Sequence, residues 1–281
     1  MSRLKAALES ARKQRDAARA GGSTAAGGGT LPQATVPPSS GHALLRMDAL
    51  PRIPANWEAL RANRILTHDA RSLAEGAYRM LRTRLMQKMR SHGWRIIGIS
   101  SLGPNEGKTF TAINLAISIA AEVGQEAVLV DLDLRRPSVH HYLGIDAGQF
   151  TSLSRYFGGG AEDIGNLLFC PGIDRLGCLL SSTSLERPSD VLASPRGKRL
   201  FEELRGRLRP ETVVIVDLPP LLAADDALAV APMLDGIVLV IAEGYAKRNE
   251  IADARELVQE FNVIGTMLNK SVEKDNRKHY Y

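Results

Sequence analysis

The chain has 281 residues, 44% of them hydrophobic and 24% charged, which is room for one α/β domain with flexible extensions. Its net charge of +5 is unevenly spread: residues 1–93 carry 16 Lys and Arg against 6 Asp and Glu, whereas residues 94–281 carry 20 against 25. The main body is thus mildly acidic, which argues against nucleic acid as a partner. No run of about 18 apolar residues could span a bilayer and the first residues lack the apolar core of a signal peptide, so the chain is expected in the cytoplasm.

Residues 1–20 hold Arg3, Lys5, Arg12, Lys13, Arg15 and Arg19 among alanines. They read as a basic helix with a weak grip on a membrane or as a solvated tail. Gly21, Gly22, Gly27, Gly28, Gly29, Pro32, Pro37 and Pro38 follow. Such a composition cannot bury enough apolar surface to offset its ordering entropy, so residues 21–45 read as a linker. Residues 1–68 as a whole are taken as a basic, largely disordered tail and linker, and 69–272 as the domain. Over residues 69–92, Leu73, Ala77, Met80, Leu81 and Leu85 recur at helical spacing. The other side of that helix carries Arg71, Arg79, Arg82, Arg84 and Lys88, either a solvated face or an interface.

Beyond Gly93, short apolar runs alternate with helix-length segments. Strands are expected at 95–100, 127–130, 213–216, 236–242 and 263–268, and helices at 109–123, closed by Gly124, and at 246–261. This alternation predicts a doubly wound α/β fold, with a mostly parallel sheet covered by helices on both faces. Ligands of such sheets sit at the C-terminal ends of the strands. Cys170 and Cys178, with no histidine pair nearby, do not form a zinc pattern and read as thiols in a reducing compartment.

The strongest signal is Ser101-Leu102-Gly103-Pro104-Asn105-Glu106-Gly107-Lys108-Thr109, which follows a strand and opens a helix. That context marks a P-loop, whose backbone N–H groups and helix N-terminus bind phosphate oxygens. Lys108 is expected on the β- and γ-phosphates of ATP, and the Thr109 hydroxyl on Mg²⁺. Gly103, Pro104, Asn105, Glu106, Gly107, Lys108, Thr109 and the following Phe110 are the nucleotide-binding candidates. The general pattern places glycine at 102, where this chain has leucine.

The second strand ends in Asp131-Leu132-Asp133-Leu134-Arg135-Arg136-Pro137. Period-two alternation puts Asp131 and Asp133 on one face, where they can hold Mg²⁺ through water or orient a nucleophile's proton. Arg135 and Arg136 either stabilise phosphate charge or pair with acidic neighbours. A later apolar strand ends in Asp217-Leu218-Pro219-Pro220, the Walker B arrangement of one carboxylate beside the metal. Thr109, Asp131 and Asp217 are the metal candidates; Lys108, Asp131, Asp133 and Asp217 are the catalytic ones. Asp225 and Asp226 read as helix N-caps. Asn269 at the last strand end reads as a partner for a purine edge or as a turn residue. Residues 273–281 read as a mobile tail ending in Tyr280 and Tyr281.

These three motifs, with Arg187-Pro188-Ser189-Asp190-Val191-Leu192-Ala193-Ser194 between them, resemble the bacterial tyrosine kinases over about residues 70–272. The resemblance implies ATP- and Mg²⁺-dependent autokinases that regulate exopolysaccharide polymerisation and export, with Lys108 and Thr109 on Walker A, Asp131 and Asp133 on Walker A′, and Asp217 on Walker B. It implies Tyr280 and Tyr281 as phosphoacceptors, and a homo-oligomer, often a ring, with nucleotide at subunit contacts. It further implies activation by the cytoplasmic tail of a membrane chain-length regulator, which would bring the chain to the inner face of the membrane. The family's ring-forming helix carries Glu-x-x-Arg-x-x-Arg; here Arg79 and Arg82 match, but Gly76 stands at the acidic position and Glu75 one residue early. The alternative is a switch ATPase of the ParA/MinD type, which shares this fold. Those proteins carry an additional lysine where this chain has Gly103.

Overall fold

The computed structural model describes residues 43–66, 73–223, 225–244 and 261–271. Six strands make one sheet: β1 (Ile96–Ser101), β2 (Ala127–Asp131), β3 (Leu176–Leu179), β4 (Val213–Asp217), β5 (Gly236–Ala242) and β6 (Val263–Asn269). Their order is β3-β2-β4-β1-β5-β6, and all five pairings are parallel. β1, β2, β3 and β4 are buried along their whole length. This is why β2 and β4 read as continuous Val/Leu/Ile runs rather than as alternating ones.

The helices are α1 (Trp57–Ala62), α2 (Leu73–His92), α3 (Lys108–Ala120), α4 (Val139–Leu143), α5 (Leu153–Phe157), α6 (Pro188–Ala193), α7 (Pro195–Arg207) and α8 (Asp226–Val230). Every residue of α3 except Phe110 is buried. It is the central helix, buried all round because the sheet lies on one side and α2 on the other. Tyr78, Leu85, Met86 and Met89 of α2 join Ile113 and Ile117 of α3 in one core cluster, each contributing about 1.5–3 kcal/mol by leaving water. Gly124 follows α3 in the left-handed region, at φ 78°. No helix among the described residues is long and apolar enough to cross a membrane.

Met47, Ile53, Leu60 and Ile65, which the sequence reading assigned to the tail, are buried. Arg52 bridges to Cys170, and the Asn63 side chain donates to the carbonyls of His141 at 3.3 Å and Tyr142 at 2.9 Å. The four apolar residues lie among prolines and charges at no regular spacing, so no periodicity betrays them. β3 also escaped the reading. It is only four residues long and is broken by Gly177, whose missing side chain leaves room for Met47. The expected tail and linker through residue 42, and the helix expected at 246–261 up to residue 260, lie outside the described residues.

Candidate active site

β1 delivers the chain into the loop 102–107, and α3 starts at Lys108. Two residues of the loop take left-handed backbone: Asn105 at φ 63° and Gly107 at φ 98°. Gly107 is the N-cap of α3, and a Cβ there would lie 2.1 Å from the Asn269 amide nitrogen. Glycine is therefore required twice over, by conformation and by space. Leu102 is buried in the core, so the missing first glycine of the general pattern is a packing position here. The first-turn N–H groups of α3 have no intrahelical acceptor, and the helix dipole adds positive charge. Together they make an anion cradle.

The carboxylates meet the cradle through strand register. β2 and β4 are neighbours, with Asp131 paired to Asp217. Lys108 Nζ lies 2.7 Å from Asp133 Oδ2 and 3.5 Å from Asp217 Oδ1, and the Thr109 hydroxyl donates to Asp217 Oδ2 at 2.7 Å. Asp131 is fully buried and accepts from the backbone N–H groups of Asp133, Ser138 and Val139, each at 3.2 Å. Thus Lys108, Thr109, Asp131, Asp133 and Asp217, widely spaced in sequence, form one cluster.

Three carboxylates share one ammonium in a water-poor cavity, and the proton affinities follow. Burial works against the Lys108 charge, but Asp217 and Asp133 outweigh it and hold its pKa above the usual lysine value. Burial pushes Asp217 up to about 6, against the pull of Lys108 and the Thr109 hydroxyl. Burial, then the charge of Asp217, raises Asp131 well above the ordinary carboxylate range.

Among the described residues no group of three His, Cys, Asp or Glu side chains forms a metal cage. Mg²⁺ does not require one, since it is commonly held by one or two carboxylates plus phosphate oxygens and water. The residues fit it. Asp217 Oδ1 is buried without a hydrogen bond, Thr109 is beside it, and the cluster carries more negative than positive charge.

The remaining expected residues surround this cluster. Pro104 and Asn105 form the exposed rim. Phe110 turns toward α2, edge-on to Tyr78 at 6.2 Å. The Glu106 carboxylate bonds the backbone N–H groups of Gly103 and Ala242. Asn269 donates its amide to the Glu106 carbonyl at 2.9 Å, and Lys270 reaches the Asn105 carbonyl at 2.7 Å. Asn269 is therefore a support of the loop in this structure. Of the acidic pair, Asp225 stands at the N-cap of α8 as expected but makes no side-chain cap bond, and Asp226, in the first turn, instead takes a two-pronged ion pair from Arg135, at 2.6 and 3.0 Å. On α2, Arg82 is spent on the Ser118 carbonyl at 2.8 Å and on Glu122 at 3.1 Å, while Arg79 lies 4.0 Å from Glu75. Tyr280 and Tyr281 lie outside the described residues. Sequence reasoning missed the Glu106 and Lys270 supports. A glutamate inside a phosphate loop was the available signal, because a carboxylate there must be turned away from the ligand.

No protein-family model matches the chain. Among curated proteins it is 30% identical over 178 residues to the tyrosine-protein kinase CpsD of Streptococcus agalactiae, covering 63% of this chain and 75% of that one. It is 29% identical over 227 residues to the tyrosine-protein kinase YwqD of Bacillus subtilis, covering 79% and 92%. Among solved structures, the kinase domain of the Escherichia coli tyrosine kinase ETK matches with a TM-score of 0.65 at 25% identity, covering 82% and 93%.

Proposed function

Because the chain belongs to the family of bacterial tyrosine-protein kinases, we propose that it transfers the γ-phosphoryl group of ATP to tyrosine hydroxyls, its own Tyr280 and Tyr281 among them. The observation that carries the reading is the Lys108–Asp133–Asp217–Thr109 cluster at the mouth of the phosphate cradle. Bound Mg²⁺ would supply a positive charge beside the phosphates, held by Thr109 and Asp217 with Asp131 behind them. Lys108 leaves its carboxylate partners for the phosphate oxygens, where its charge counters that developing in transfer. The phenolic proton passes to the Asp131–Asp133 pair. Burial and the charge of Asp217 raise the proton affinity of Asp131, which favours it as a proton acceptor. The new bond joins the tyrosine oxygen to phosphorus, and ADP leaves. Rate comes from positioning and electrostatics, since phosphoryl transfer asks little covalent chemistry of the protein.

By the family resemblance the physiological role is regulation of exopolysaccharide polymerisation and export. The partner is then the cytoplasmic tail of a membrane chain-length regulator, with a homo-oligomer working at the inner face of the membrane. The kinase body runs from about residue 43, and the acceptor tyrosines follow it in the C-terminal tail. Incubation with ATP and Mg²⁺, with and without such a tail, followed by phosphopeptide mass spectrometry of residues 270–281, tests the proposal. Phosphate on Tyr280 or Tyr281 in wild type, absent in a folded Lys108→Met variant, is expected. ADP release without phosphotyrosine, even with the activator present, would make this a switch ATPase instead.

A further inference from the structure

We propose that the Glu106 carboxylate is a positioning residue, which holds the phosphate loop in its receiving shape by clamping it to the end of β5. The inference rests on reading residues 103–109 as the nucleotide cradle. A carboxylate pointing into that cradle would repel a polyphosphate. Glu106 instead is 3% exposed. Its Oε1 accepts the Gly103 N–H at 2.6 Å and its Oε2 the Ala242 N–H at 3.1 Å. One side chain thereby closes the loop on itself and ties it to a neighbouring strand. Hydrogen bonds to an ionised acceptor are stronger than neutral ones.

The main chain of the same segment is held from β6. Asn269 takes the Glu106 carbonyl and Lys270 the Asn105 carbonyl, so the loop hangs between the ends of β1, β5 and β6. Leu102, packed into the core, cannot supply the tight turn that a first glycine gives the general pattern; here a buried side chain closes the loop. Without the clamp, the loop would have to be ordered at the moment phosphate binds, and that cost falls on affinity. Chemistry after binding is set by Lys108 and the aspartates, which Glu106 does not touch. The loss should therefore appear in nucleotide Kd and KM and leave the saturated rate nearly alone.

The full-length chain, as wild type, Glu106→Ala and Glu106→Gln, would be titrated with Mg·ADP by calorimetry. Thermal melting without nucleotide and phosphotyrosine formation at saturating ATP would be followed alongside. Glu106→Ala is expected to raise Kd by about tenfold or more. Glu106→Gln, which keeps one acceptor oxygen, should fall between. The saturated rate should stay within about twofold of wild type. Unchanged Kd in folded Glu106→Ala, or a lost saturated rate with unchanged Kd, overturns the clamp. If Glu106→Ala does not fold, Glu106→Gln decides, and wild-type Kd there is the overturning result. Absence of ADP affinity in the wild type would instead sink the cradle reading, and the clamp with it.

Discussion

Replacing Arg135 with alanine strands a buried charge. The Asp226 side chain has no exposure, and the Arg135 guanidinium grips both its oxygens while Asp225 stands 3.5 Å away. Removing one partner of a fully buried pair costs about 3–5 kcal/mol. The Arg135 side chain is 41% exposed, so water screens the pair, and about 2–3 kcal/mol is the better expectation. In urea that moves the unfolding midpoint down by about 1 M. A second substitution, Asp226→Asn, should recover most of the loss at pH 7. If Arg135→Ala unfolds within about 0.5 kcal/mol of wild type at pH 7, or if Asp226→Asn recovers none of the loss, the burial argument is wrong.

Stability is linked to proton binding at Asp217. Burial holds its folded pKa at about 6, above the unfolded value, so without nucleotide this group's contribution is full below about pH 4 and is lost as pH rises to about 6. Melting curves of wild type minus Asp217→Asn should carry that slope across pH 4–6, and a flat difference would remove Asp217 as its source. At the corner between α6 and α7, a Cβ on Gly197 would sit 2.0 Å from the Leu192 carbonyl oxygen, a backbone atom. Gly197→Ala should therefore cost about 1–3 kcal/mol or more by denaturant unfolding. Gly206→Ala on the same helix meets nothing within 4 Å and should be neutral or gain up to about 1 kcal/mol; equal effects at both sites would refute the close-approach argument.

The parallel α/β sheet and most of its elements were legible because each strand from β1 to β5 except β3 is a local apolar run and α3 opens behind a phosphate-loop pattern. Asp131 and Asp217 end such runs and Asp133 follows two residues on, Lys108 and Thr109 open the helix behind the phosphate-loop pattern, and parallel strands bring these points to one edge. What the sequence left open were partnerships between segments far apart in the chain. That Arg135 meets Asp226, that Asn269 meets the Glu106 carbonyl and that Arg82 meets Ser118 are contacts set by strand order and helix packing. Residues 46–66 were hidden likewise, for their apolar side chains follow the contours of an already folded surface and have no period of their own. Local sequence determined the chemistry present at this strand edge; tertiary structure decided which charges are spent within the fold, because pairing energy depends on distance and burial that no spacing along the chain encodes.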